Sequence, residues 1–266
     1  MSTDRNIKRI ISRNSILVTC IVLTIISIIV SISSSEYLFK HTLPVENFVT
    51  LTMDVTLDPD CDTVDTGIFS EEECMTYDLF SSRASAAAIR RVGGKTFLLT
   101  AAHFCEIDLQ SIGLPSELSD FVDIELEIYK DSETYPFEIE MIDSRNDLCL
   151  ISSETYDVRE ELAFSKKMPD IGSPSKVISS PLGISERNVN FHFSGTFSGC
   201  NGKICYYTIP AISGSSGSLI LNYNNEIIGM TQQSLVGFPS VSIGVDIYTI
   251  TEFLRKYESE SGVKLY

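Results

Sequence analysis

A serine hydroxyl attacks a carbonyl at neutral pH only when a base takes its proton and a carboxylate orients that base. Three short segments carry these residue types in the order His, Asp, Ser. They are Thr-Ala-Ala-His at 100–103, Asn-Asp-Leu-Cys-Leu at 146–150 and Gly-Ser-Ser-Gly-Ser at 214–218. The chain has only three histidines, and His103 alone has a suitable context. An apolar strand precedes it, and Ala101 and Ala102 let the backbone turn tightly beside a nucleophile. Asp147 opens an apolar strand, where its carboxylate can sit behind an imidazole. Asp143 is its nearest rival. Ser213, Ser215 and Ser218 rival Ser216 by type only, because Gly214 and Gly217 frame Ser216. Glycines there permit positive φ, so the N–H groups of Gly214 and Ser216 are expected to form an oxyanion hole. His41 and His192 read as structural or surface residues.

These segments need a rigid frame. Residues 49–57 alternate apolar and polar side chains, which predicts a half-buried strand. Residues 84–92 and 95–100 flank Gly93 and Gly94, a hairpin signature. Further strands are expected at 122–129, 135–142, 147–152, 175–179, 189–197, 204–209, 218–222, 226–232 and 241–246. Many short strands separated by turns indicate an all-β barrel or sandwich fold. Ile247, Ile250, Phe253, Leu254 and Tyr257 share one helical face. Thr249 with Glu252 makes a possible capping box, so a C-terminal helix closes the domain.

The segment from about 83 to 256 resembles trypsin-like (chymotrypsin-fold) serine proteases, in style the bacterial, short-loop, Deg-type members. The resemblance rests on T-A-A-H, on D-L-C-L-I at 147–151 and on G-S-S-G-S. The strand-like stretches Glu226-Ile227-Ile228-Gly229-Met230 and Ser242-Ile243-Gly244-Val245 extend it. It implies two six-stranded antiparallel Greek-key barrels with the triad His103, Asp147 and Ser216 between them. It also implies a specificity pocket at Pro210, Thr231, Gln233, Ser242 and Gly244. Pro210 is not an acid, so a small or apolar substrate side chain is expected; Asp246 keeps a basic preference open. Ser218 replaces a family glycine. Ser215 stands where many such enzymes carry the Asp that receives a newly cut N-terminus. Activity is therefore expected not to depend on proteolytic activation.

Residues 15–33 contain no charge, Pro or Gly. As a helix they span roughly 28 Å, about the hydrocarbon thickness of a bilayer. Arg5, Lys8, Arg9 and Arg13 precede them, which places 1–14 in the cytoplasm and the rest outside. A cleaved signal peptide, with export of the remainder, is the competing reading. The expected layout is a tail at 1–14, a transmembrane anchor at 15–33 and an acidic stem with a first strand at 34–80. Barrels follow at 81–160 and at 161–266, the second carrying the helix.

The net charge is −16, and the acidic body argues against nucleic-acid binding. The expected partners are a protein or peptide substrate and, through the N-terminal helix, a membrane. The chemistry calls for no cofactor or metal. Oligomeric state has no signature. Six cysteines lie outside the apolar run, and an even number in an exported domain favours disulfides. Cys200 could bond Cys205, and Cys61 could bond Cys74. Cys105 and Cys149 each lie two residues beyond a triad member and are bonded or merely buried neighbours. The function expected is a membrane-anchored serine endopeptidase. The alternatives are a silent protease-fold binding module and an esterase-like hydrolase.

Overall fold

The computed structural model describes residues 24–27, 43–57, 77–107, 121–186 and 189–266. The alternating segment forms β1 (Phe48–Leu57). Alternation predicts one wet face, yet Thr50 and Thr52 are buried along with Leu51 and Met53. The reason is position. β1 lies inside a sheet, between β2 (Tyr77–Val92) and β4 (Val122–Lys130). The Thr50 hydroxyl also meets that of Ser180, in the second half of the chain, at 2.5 Å. The strand grouped with the stem at 34–80 is therefore a middle strand of the first sheet, and the folded unit begins at Pro44.

Gly93 and Gly94 adopt φ of 61° and 91° and turn β2 onto β3 (Lys95–Thr100). β3 runs into the single-turn helix α1 (Ala102–Cys105), which carries His103. β5 (Glu133–Pro136), β6 (Glu138–Asp143) and β7 (Leu148–Ser153) complete a sheet of order β5-β4-β1-β2-β3-β7-β6. A closed six-stranded barrel was expected here, with one strand over 135–142. The stretch is instead split, because Pro136 has no N–H to continue a ladder. Its first part pairs with β4 and its second with β7. The first half is thus a seven-stranded sheet whose edge strands are separated in sequence by Phe137 alone.

The second half closes as a six-stranded barrel. β8 (Pro174–Ser179), β9 (Phe191–Asn201), β10 (Ile204–Tyr207), β11 (Leu219–Asn222), β12 (Ile227–Leu235) and β13 (Phe238–Asp246) run in the order β10-β13-β12-β11-β8-β9. Val177, Phe197, Tyr207, Ile209, Ile220 and Ile228 fill it. Cys200 and Cys205 are directly paired across the β9–β10 hairpin and form a disulfide.

Helix α2 (Ile247–Ser261) follows, burying Ile247, Ile250, Phe253, Leu254 and Tyr257. Its cap is not the Thr249–Glu252 box. The Asp246 carboxylate accepts from the N–H groups of Tyr248 (2.7 Å) and Thr249 (3.0 Å) and from the Thr249 hydroxyl (2.8 Å). A carboxylate at that position satisfies orphan amides that the box would leave open. The Asp246 carboxylate is therefore engaged at the start of the helix, and the residue is buried.

Of the apolar run 15–33, residues 24–27 are described and are helical, with Ile25 and Ile26 exposed. Among the described residues no helix is long and apolar enough to cross a membrane. The 1–14 tail, His41 and the expected Cys61–Cys74 bridge lie outside the described residues.

Candidate active site

His103 and Asp147 meet. The imidazole Nδ1 lies 3.0 Å from each Asp147 carboxylate oxygen. The His103 backbone N–H donates to Oδ1 at 2.9 Å. A carboxylate on Nδ1 fixes the tautomer that carries its proton there and leaves Nε2 as the acceptor. The hydrogen bond that His103 donates to Asp147 holds its pKa above the ordinary 6.5; burial opposes this, and the negative charges of Asp147 and Glu106 reinforce it.

Asp147 stands in a turn with φ of 51°, a conformation that Asp and Asn tolerate better than most residues. The rival acid Asp143 builds that turn. Its carboxylate accepts from the Asn146 side chain at 2.6 Å and from the Asn146 backbone at 3.2 Å. Ser144 donates to Glu106, just past α1. Cys105 and Cys149 form a disulfide, with Cα atoms 6.5 Å apart and a sequence separation of 44. In the chain-entropy model such a loop contributes about 4 kcal/mol. In the folded molecule it ties the histidine's helix to β7, which begins just after the aspartate.

The loop 213–218 is held peptide by peptide. The Ser213 carbonyl accepts from Leu182 N–H at 2.7 Å, and the Ser215 carbonyl from Ser218 N–H at 3.2 Å. The Gly214 carbonyl accepts from the Ser85 hydroxyl at 2.7 Å, and the Ser216 carbonyl from Ser85 N–H at 2.9 Å. The Ser215 and Gly217 amides donate to Ile212 and Thr231 at 2.9 and 2.8 Å. In a trans peptide the N–H points away from the carbonyl that precedes it. Pinning the Ser213 and Ser215 carbonyls therefore turns the Gly214 and Ser216 amides the other way. Among the described residues these two amides have no hydrogen-bond partner.

This loop packs on the histidine's own segment. A Cβ added to Gly217, whose φ is +86°, would overlap the Ser85 carbonyl oxygen and the Thr100 hydroxyl. Thr100 is three residues before His103 and donates to the Ser85 carbonyl at 2.9 Å. The Ser216 hydroxyl is half-buried and donates to the Gln232 carbonyl at 2.9 Å, not to His103. The Gln232 side chain in turn donates to the Asn146 carbonyl at 2.6 Å. Gln232 thus bridges the serine and the aspartate's turn. The sequence placed 231–233 only in a pocket wall, and nothing in it signalled this bridge.

The five expected pocket residues divide. Thr231, Ser242 and Gly244 are buried. Thr231 is the cross-strand partner of Gly244, and Ser242 lies two residues from Gly244 on β13. The three therefore share one face of the sheet. Among the described residues the Thr231 and Ser242 hydroxyls are buried without a partner. Pro210 and Gln233 are exposed. His192 is exposed on β9, where its Nε2 is 3.1 Å from the Ser194 hydroxyl.

No family model matches the sequence, and no curated protein matches it. Solved structures do match. A crystal structure of Rv3671c protease from M. tuberculosis in its active form aligns with a TM-score of 0.53 at 11% identity, covering 79% of this chain and 80% of that one. A mutant of Rv3671c from M. tuberculosis H37Rv in its inactive form aligns with a TM-score of 0.52 at 10% identity, covering 80% and 89%. The likeness is one of fold. It agrees with the chymotrypsin fold that the motifs led one to expect, and it selects no subfamily within that fold.

Proposed function

We propose that this chain is a serine endopeptidase. The observation that carries the reading is the conjunction of an Asp147-oriented His103 with the amides of Gly214 and Ser216, which have no hydrogen-bond partner among the described residues. The loop bearing those amides is packed against the segment that bears the histidine. The protease-type fold supports it.

Ser216 Oγ attacks the peptide carbonyl while His103 Nε2 takes its proton. The carbonyl oxygen becomes an oxyanion that the Gly214 and Ser216 amides receive. The C–N bond then breaks, and His103 returns the proton to the leaving amine. Water repeats the sequence on the acyl-enzyme and releases the acid. Asp147 orients the imidazole and stabilises its cationic form.

Thr231, Ser242 and Gly244 are assigned to the specificity pocket with the exposed Pro210 and Gln233, and a small or apolar side chain is assigned as its occupant. The short-loop, Deg-type style rests on the motif spellings. The charge-free apolar run 15–33 and the basic residues before it support attachment to a membrane with the protease outside. One observation favours the silent-module alternative: the Ser216 proton rests on Gln232 rather than facing the imidazole. Hydrolysis of esters without cleavage of any protein would mark the esterase alternative.

The reading fixes a pH dependence. The base works only when neutral, and Asp147 raises its pKa. Peptide hydrolysis is therefore expected to rise with pH along a single-proton limb whose midpoint lies above 6.5. The same raised pKa stabilises the folded protein most fully below 6.5, and that contribution fades as pH rises through the folded value. Measuring kcat/KM of a peptide library between pH 5 and 9 checks this. A rate flat across the range would remove His103 as the base.

A further inference from the structure

Ser85 lies on β2, far in sequence from the three motifs, and is 1% exposed. Its hydroxyl accepts from Ser180 N–H at 2.9 Å and donates to the Gly214 carbonyl at 2.7 Å. Its N–H holds the Ser216 carbonyl at 2.9 Å. One small residue thus grips the Gly214–Ser215 and Ser216–Gly217 peptides, the two on either side of the peptide that carries the Ser216 amide. The third grip, on the Ser213 carbonyl, comes from Leu182 N–H in the turn Pro181–Gly183.

That turn carries strain. Leu182 is 66% exposed and has φ of 56°, a conformation that costs a non-glycine residue energy and persists only where its surroundings fix it. The surroundings here are specific. A Cβ on Gly183 would press into the Arg83 side chain. Arg83, two residues before Ser85, is held by Asp54 at 3.0 Å. The Ser180 hydroxyl meets Thr50 of β1. The braced turn thus holds the Ser213 carbonyl behind the Gly214 amide, and the first sheet holds the peptides on either side of the one that carries the Ser216 amide.

We propose that Ser85 is a positioning residue. With the Pro181–Gly183 turn it latches the 213–217 backbone so that folding alone builds the oxyanion site. No newly cut N-terminus is needed, in keeping with Ser215, which offers no acid to receive one. The proposal rests on the protease reading and adds to it what keeps the site assembled. The Ser85 side chain touches no reacting atom. Its loss acts on the transition state, which loads the Gly214 and Ser216 amides, more than on the bound peptide, which does not.

The test compares the parent with Ser85→Ala and Ser85→Gly, which remove the hydroxyl without adding bulk. Each is assayed for kcat and KM on a peptide substrate. Each is also titrated with a peptide boronic acid, whose tetrahedral adduct occupies the oxyanion site, and with the matching product peptide. In both variants kcat is expected to fall about 10- to 100-fold, within the range seen when an oxyanion donor is lost. KM and product affinity should stay within about 2-fold, boronate affinity should fall in step with kcat, and the midpoint of the pH limb should stay where the parent has it. Retention of a cooperative thermal transition in either variant shows that the loss is not unfolding. Parent-like kcat and boronate affinity in an active pair of variants would overturn the latch and leave the protease reading standing. A parent that neither cuts peptides nor binds the boronate overturns the protease reading and the latch with it.

Discussion

Asp147→Asn is expected to lower kcat by about 10^4-fold while leaving the fold intact. The substitution is close to isosteric, and asparagine tolerates the φ of 51° that Asp147 adopts. The loss is therefore chemical. Asp147 Oδ1 accepts from the His103 backbone N–H at 2.9 Å, and both carboxylate oxygens lie 3.0 Å from Nδ1. An asparagine keeps its carbonyl oxygen on the backbone N–H and turns its NH2 toward Nδ1. The imidazole then carries its proton on Nε2, where it cannot accept one from Ser216. A second readout separates this from general damage. The Asp147 hydrogen bond and charge that raise the His103 pKa are gone, while burial, which lowers it, remains and outweighs the smaller Glu106 charge. The residual activity should thus titrate at a lower pH than the parent's. Single-turnover and steady-state assays across pH check both parts. An unchanged rate would show that the contact is structural only.

Gly217→Ala is the second large effect. The φ of +86° is open to glycine and strained for alanine. The added methyl has no room, since it falls on the Ser85 carbonyl oxygen and the Thr100 hydroxyl. Thr100 could rotate its hydroxyl away, but the Ser85 carbonyl belongs to a middle strand and cannot yield. The loop must retreat instead, taking Ser216 with it. Strain and overpacking together are expected to cost about 3 kcal/mol of stability. A shift of the nucleophile by about 1 Å would remove about 100-fold in kcat/KM. Chemical denaturation and peptide hydrolysis measure the two terms. Full stability with full activity would mean that the loop is not pressed on the histidine's segment.

What the sequence made legible is local. The Gly93 and Gly94 hairpin, the strand before His103 and the glycine frame around Ser216 each follow from neighbouring residues, and each lies where expected. The Cys200–Cys205 staple follows from five-residue spacing across a turn. The features that escaped depend on distant partners. Ser85 sits in a run of small residues that reads only as strand, and the Gly214 carbonyl it holds is 129 residues away. Gln232 looks like one polar residue among several on β12, and its bridge to Asn146 spans 86 residues. Asp246 won the helix cap over Thr249 because strand β13 delivers it directly to the first turn. The split of 135–142 turns on Pro136, whose missing N–H marked the break. The burial of Thr50 and Thr52 could not be read from alternation, because alternation reports one covered face and says nothing of a strand covered on both.

The central claim is that Ser216 is an activated nucleophile. The direct measurement is covalent labelling by a fluorophosphonate, which reacts with a serine only when a base and an oxyanion site act together on it. The protein should label stoichiometrically at neutral to mildly alkaline pH, at Ser216 by peptide mapping, and Ser216→Ala should not label. A folded parent that stays unlabelled, or label found on another serine, would contradict the account.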